Sequence, residues 1–376
     1  MIPVNEPLLN GNEKKYLNEC IDTGWISSEG PFVKDFEEKF AAKIGRRFAV
    51  SVCNGTAAID IAIEALKLQK DDEIIMPTFT IISCINAIVR LGLKPVLVDS
   101  DEHTWNMSVE QIESKITKKT KAIMIVHIYG LPVDFAPIYQ LAKKYNLQII
   151  EDAAEAHGQQ HKNTYCGALG NVSTFSFYPN KHITTGEGGM VLTDDEDIYH
   201  KLLSLRNLGF TPPRRFVHYE LGYNMRLTNL QAALGLAQLE RLDEFVAIKR
   251  KMGAIYTHLL QDMQEFIQLP LPETTYAKNI YWVYGIVLKA NIPMDAQTTI
   301  QKLADRGIGT RPFFYPMHKQ PVFKKIGLFD NGESYPVAEN LGERGFYLPS
   351  GLALKEQDMK IVVQTLKAVL EEALTS

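Results

Sequence analysis

Long uniformly apolar runs are missing from this sequence, and none of its hydrophobic stretches approaches the length of a membrane span. Cysteine is scarce: Cys20, Cys53, Cys84 and Cys166 are scattered, with no Cys-x-x-Cys pair among them. The N-terminus, Met-Ile-Pro-Val-Asn-Glu-Pro, lacks a charged segment followed by an apolar one. Together these absences predict reduced thiols in a cytoplasm, with no signal peptide, no disulfide framework and no metal site. An excess of either charge is lacking too, since 40 Lys and Arg face 44 Asp and Glu for a net charge of -4. No basic tail or stripe is present, so neither nucleic acid nor a membrane is an expected partner, and local cationic groups must meet any anionic ligand. Internal repeats and low-complexity stretches are also absent.

What is present is apolar material in quantity. At 376 residues and 45% hydrophobic, the chain can bury a large core and divide into two or three domains. Between about residues 46 and 193, short apolar runs alternate with amphipathic ones. Residues 47–53 read as a strand, and 55–68 as a helix with Ala58, Ile59, Ala62, Ala65 and Leu66 at helical spacing. Further strands are expected at 73–76, 95–99, 122–128, 147–152 and 172–177. This order predicts an α/β fold whose mostly parallel mixed sheet is flanked by helices. A long helical region is expected at 229–260, with a domain boundary near 250. A strand at 281–288 and helices at 296–306 and 356–374 then predict a smaller C-terminal α+β domain. The expected division is 1–250 and 251–376, and the N-terminal segment could pack on the smaller part.

Ligands in open α/β sheets bind beyond the carboxyl ends of strands, and three polar sets fall there. Asn54-Gly55-Thr56 lies between a strand and the helix it feeds, where free N–H groups and a glycine can admit a phosphate. A turn and a cap would give the same residues. Glu151-Asp152-Ala153-Ala154-Glu155 ends an apolar strand. An Asp there could keep a pyridine nitrogen protonated, as the electron sink of pyridoxal 5′-phosphate requires, and Glu155 could reach the ring's other polar edge. A helix cap followed by a solvated Glu is the plainer alternative. The third set runs from Ser173 through Ser176 and Lys181 to Gly189. Most lysines are solvated. Lys181, however, follows a strand and precedes the glycine-rich turn at 186–189, which suits a tightly wrapped ligand, and a partly dry lysine can become a nucleophile.

These motifs resemble the sugar-nucleotide aminotransferases of the DegT/StrS type, pyridoxal phosphate enzymes of fold type I. The similarity covers nearly the whole chain, from Thr23-Gly24-Trp25-Ile26-Ser27-Ser28 and Pro77-Thr78-Phe79-Thr80 to Arg311-Pro312-Phe313-Phe314-Tyr315-Pro316 with His318. It is greatest to the perosamine-synthase branch, which aminates C4 of GDP-linked 4-keto-6-deoxymannose. The resemblance implies that Lys181 is the catalytic residue, binding the cofactor covalently and shuttling a proton. It implies that Asp152 pairs with the pyridine nitrogen, that Glu155 lies near the phenolic oxygen, and that Gly55, Thr56 and Ser176 hold the phosphate. Asn224 would reach the cofactor phosphate of a neighbouring subunit, making the protein a homodimer with shared sites. Trp25, Ser27, Ser28, Tyr315 and His318 would border the sugar-nucleotide pocket, with Arg215 and His218 in a segment near it, although two basic residues in a loop are more often solvated.

Three positions depart from the family pattern. Ile81 stands where an aromatic usually stacks on the cofactor ring, and Val217 and Met225 replace aromatics common in perosamine synthases. An isoleucine can still pack on a ring face by dispersion. The expected reaction is transfer of an amino group from L-glutamate to C4 of a 4-keto-6-deoxy sugar nucleotide. UDP- or dTDP-linked 4-keto-6-deoxyglucose and a 3-keto sugar are alternative substrates. A sugar 3-dehydratase of the same fold is an alternative reaction, but that branch has histidine at the lysine position. A non-catalytic relative would have lost Lys181, Asp152 or the phosphate residues.

Overall fold

The computed structural model describes residues 1–210, 214, 216–330 and 332–375. The main sheet contains β1 (Phe48–Val52), β2 (Glu73–Pro77), β3 (Lys94–Val98), β4 (Thr120–Val126) and β5 (Gln148–Asp152). After a short hairpin, β6 (Gln160–His161) and β7 (Thr164–Tyr165), it is completed by β8 (Val172–Ser176) and β9 (Gly189–Thr193). The spatial order is β1-β9-β8-β5-β4-β2-β3. Only β9 runs against the others, pairing antiparallel with β1 and β8, while the remaining neighbours are parallel. The sheet is therefore the mostly parallel mixed sheet of an α/β protein.

Alternation along each strand explains the layers. On β4, Ala122, Met124 and Val126 face helices Gly55–Ala65 and Ile82–Arg90. Ile123 and Ile125 point the other way, toward Ile138 of helix Phe135–Tyr145. Side chains two residues apart share a face, so a strand covered by helices on both sides must be apolar throughout. Further along the same sheet, Phe36 and Phe40 of helix Pro31–Ile44 pack with Phe175 and Phe177. Phe40 meets Phe175 edge to face, with ring centroids 4.9 Å apart, an arrangement that adds to the burial of their area.

The helical region expected at 229–260 is two helices, Asn229–Leu239 and Leu242–Leu259. Thr228 caps the first through a capping box with Gln231. Neither Pro nor Gly marks the break. Arg241 leaves the helical region at φ -115 and its guanidinium Nε donates to Glu244 at 2.9 Å. The second helix leads into an antiparallel sheet of β10 (Ile267–Gln268), β11 (Tyr284–Leu288), β12 (Arg311–Pro312) and β13 (Gly345–Leu348), in the order β10-β11-β13-β12. Tyr256, Ile286 and Leu366 belong to its core, which helices Ala296–Ala304 and Glu356–Thr375 help close. The N-terminal segment lies against the same unit: Ile2 bridges Ile308, and the Ser350 N–H donates to Val4 O at 2.9 Å. We propose that the division between a large and a small domain falls within helix Leu242–Leu259, near residue 250. Among the described residues, no helix is long and apolar enough to cross a membrane.

Candidate active site

The carboxyl ends of β1, β5 and β8 open into one cleft of about 830 Å³, bordered on the far side by Trp282, Phe314 and Tyr347. Lys181 projects into it from the loop after β8, with only 11% of its side chain exposed. Its Nζ lies 4.0 Å from Glu155 Oε1 and 3.8 Å from the centroid of the Trp282 ring. Burial lowers the Lys181 pKa from its ordinary value, and the nearby Glu155 and Asp152 offset only part of this. A lysine so placed holds more of its free amine near neutrality than a solvated one.

Asp152 is the last residue of β5 and is 2% exposed. One oxygen accepts the Ala154 N–H at 3.0 Å, and the other lies 3.3 Å from the Cys84 thiol. Burial raises its pKa, against the pull of Ala154, Cys84 and Lys181. Glu155 is also buried, accepts the Tyr129 N–H at 2.8 Å, and is raised by burial against the pull of Lys181. Two raised carboxyls beside a depressed lysine form a site that needs a cationic partner to be fully ionised. Glu151 is different. It points away from the cleft, 2.9 Å from His127 Nε2, and accepts N–H groups of Leu169 and Gly170 at 2.9 and 3.0 Å. Burial pushes it up, but His127 and the N–H groups of Gly167 and Gly170 outweigh that and hold it low.

The cleft narrows at the start of helix Gly55–Ala65. Asn54 caps it by accepting the Ala57 N–H at 2.8 Å. The first N–H groups of a helix have no partner within it, so those of Gly55 and Thr56 suit an anion. A Cβ on Gly55 would lie 2.7 Å from the Ser176 Cβ, so only glycine leaves that approach open. Thr56 Oγ1 and Ser83 Oγ are 2.8 Å apart, which brings a further hydroxyl to this end. Two other cleft residues carry buried polar atoms that find no partner among the described residues, Thr174 Oγ1 and Asn180 Oδ1. Such atoms call for a ligand or water.

Ile81 and Asn224 border this cleft, as do Gly55, Thr56, Asp152, Glu155 and Ser176. Asn224 is on the rim of its own chain's cleft. Ser27 and Ser28 line a second cleft of about 1100 Å³ with Arg226, and Trp25, half exposed, stands beside it in sequence. Tyr315 is 52% exposed and is not among the residues lining either cleft. His318 does not line either of these clefts. It is 3% exposed, with Nδ1 2.8 Å from Thr78 Oγ1 and Nε2 3.0 Å from Glu339, so both ring nitrogens are taken by the protein. His218 is exposed, its Nδ1 2.8 Å from Leu208 O, and Arg215 lies outside the described residues. Sequence reasoning missed Ser83, Trp282, Phe314 and Tyr347. Phe314 sat within a quoted motif, but nothing local singled out Trp282 or Tyr347.

A profile of the DegT/DnrJ/EryC1/StrS aminotransferase family matches residues 7–367. The chain belongs to that family. This aminotransferase is 43% identical over 365 residues to a GDP-perosamine synthase of Escherichia coli O157:H7, covering 97% of each chain. The fold matches Helicobacter pylori PseC, an aminotransferase involved in the biosynthesis of pseudoaminic acid, with a TM-score of 0.93 at 23% identity over 99% of both chains. It also matches a mutant of GDP-4-keto-6-deoxymannose-3-dehydratase with bound GDP-perosamine, at 26% identity and a TM-score of 0.89, covering 97% of this chain and 100% of that one. The cofactor of the aminotransferase is pyridoxal 5′-phosphate. Its residues fit that group: an open helix start at Gly55 for a phosphate, a buried carboxylate for a ring nitrogen, and a partly dehydrated lysine between them.

Proposed function

We propose that this aminotransferase moves the amino group of L-glutamate to C4 of GDP-4-keto-6-deoxy-D-mannose, giving GDP-perosamine. The observation that carries this reading is the 43% identity to a GDP-perosamine synthase across 97% of both chains, in a sequence that retains Lys181. The solved dehydratase relative with bound GDP-perosamine supports a guanosine-linked sugar.

In this reading Gly55, Thr56 and Ser176 hold the cofactor phosphate, Asp152 meets the ring nitrogen, Glu155 the phenolic edge, and Ile81 packs on the ring face. When bound, pyridoxal phosphate supplies an electron sink that acidifies the C–H bond of the amino donor. Lys181 would take the proton from that carbon and deliver it to the cofactor's reactive carbon, for which a lysine of lowered pKa is suited. Asp152 keeps a positive ring nitrogen favourable because burial leaves its carboxylate short of counter-charge. Trp25, Ser27, Ser28, His218 and Tyr315 would border the sugar-nucleotide side, and His318 would support it from behind through Thr78 and Glu339. The working form is a homodimer in which Asn224 serves a shared phosphate site.

The dehydratase reading is disfavoured by Lys181, since that branch carries histidine at this position. The test is a panel of keto-sugar nucleotides incubated with L-glutamate, the products being identified by mass spectrometry and NMR. A 4-amino-4,6-dideoxy product from the GDP-mannose-derived ketone is expected. A 3-deoxy product, or amination of only UDP- or dTDP-linked sugars, would overturn the proposal.

A further inference from the structure

Three separate segments converge on Trp282, just before β11. Its indole face lies against the Lys181 amine at 3.8 Å from Nζ to ring centroid, well within the range at which an aromatic ring attracts a cation. Its Nε1–H donates to Asn180 O at 2.7 Å, the carbonyl immediately before Lys181. Its own carbonyl accepts from Lys249 Nζ at 2.8 Å. Gly130, at φ +100, packs on the main chain here, where a Cβ would lie 2.6 Å from the Trp282 backbone nitrogen. The Tyr129 ring is 5.9 Å away, and the Tyr129 N–H holds Glu155. Trp282 is thus tied to the loop, the amine and the carboxylate of the cleft at once.

Lys249 is the unusual partner. It sits on helix Leu242–Leu259 with 1% exposure, and besides Trp282 O it donates to Ser350 O beyond β13. Among the described residues it makes no ion pair within 4.0 Å. Burying a lysine without a counter-charge is costly, and an apolar side chain would fill the space more favourably. A neutral amine retains two N–H bonds, and two carbonyls receive them. Burial alone lowers its pKa to about 7, in keeping with that state.

We propose that Trp282 is a catalytic residue whose indole face steers the Lys181 amine during proton transfer, and that Lys249 is the positioning residue that pins Trp282 between the two sheets. The inference rests on Lys181 being the amine of the proposed transamination. When Lys181 carries a proton, its ammonium must persist in a site where burial disfavours it. The indole face stabilises that charge without offering a carboxylate that would trap the proton, and its N–H bond to Asn180 fixes the angle from which Lys181 approaches.

The experiment follows the visible absorbance of the holoenzyme in a single turnover with L-glutamate bearing hydrogen or deuterium at Cα. In Trp282→Leu the rate should fall by about tenfold or more, the scale of a desolvated cation–π contact, and the isotope effect should rise. Cofactor content and circular dichroism should stay as in wild type. Lys249→Met should raise the isotope effect in the same direction, and Lys249→Arg should not restore it because the larger head does not fit two carbonyls. If Trp282→Leu does not fold, Trp282→Phe carries the test. It keeps a ring face, loses the bond to Asn180, and should slow the reaction severalfold with a raised isotope effect. A wild-type isotope effect in a folded Trp282 variant, at whatever rate, would overturn the catalytic assignment. A wild-type isotope effect in Lys249→Met alone would overturn the positioning one. Wild type that fails to bleach with L-glutamate would instead refute the transamination reading.

Discussion

At the scale of single residues, environment separates Lys181 from the other lysines. It is 11% exposed, 4.0 Å from Glu155 and 3.8 Å from an indole centroid, whereas Lys34 and Lys144 keep most of their side chains in water. Lys181, Asp152 and Gly55 could be singled out in the sequence because each stands at or just beyond the carboxyl end of a strand, where a sheet delivers polar side chains to a ligand. The direction of the His318 ring could not be read in the same way. A motif gives adjacency but not direction, and the bonds to Thr78 and Glu339 turn this ring into the protein. His182, next to Lys181, is fully buried, and burial pushes its pKa well below the ordinary value, so its neutral imidazole is a weak proton acceptor beside the Lys181 amine. Lys181→Ala should therefore abolish the visible absorbance even where cofactor stays bound. Turnover should fall by about 10²–10⁴ or more, since one side chain supplies both covalent attachment and proton transfer. Borohydride reduction of wild type followed by peptide mapping checks the assignment, and a label on any other lysine would contradict it.

At the scale of elements, most strands could be read from alternation alone, and the exceptions are informative. The strand β9 was missed because its apolar Met190, Val191 and Leu192 directly follow a glycine-rich turn, and only the antiparallel ladder to β1 and β8 gives the segment its direction. Helix Leu242–Leu259 was read as a continuation because no breaker precedes it, and nothing in an 18-residue amphipathic helix announces that Lys249 is buried. Its partners, Trp282 O and Ser350 O, are 33 and 101 residues away. That burial predicts a pH dependence. Lys249 would keep its proton to about 10.5 in the unfolded chain but only to about 7 in the fold. Between those values the unfolded state binds more protons, so this group makes stability rise with pH by up to about 1.4 kcal/mol per unit. Asp152 and Glu155, raised in the fold, act in the opposite sense, losing stability as pH rises through their folded values. The comparison with Lys249→Met isolates the lysine. From pH 7 to 9 the melting temperature of cofactor-free wild type should climb relative to the variant, and parallel curves would refute the buried, proton-poor lysine.

At the scale of the whole molecule, the apolar surface is unevenly spread. Tyr219 is 81% exposed and Leu221 91%, with Tyr223 at 40% nearby, and this segment leads directly into Asn224 on the cleft rim. Isolated exposed hydrophobics need no explanation, but from several within one short segment beside an active site we propose a surface that associates. The sequence could suggest this only through Asn224, because exposure is a property of the folded chain. Closed two-fold dimers bury the same patch of both subunits, so a segment from each chain would cover the other's rim and exclude water from the proton-transfer steps. The expected outcome is a sedimenting species of twice the chain mass at working dilution. Leu221→Asp should weaken the dimer and lower activity together, with activity returning as protein concentration rises. A fully active monomer would mean that each chain's own Asn224 suffices and that the exposed segment serves another purpose.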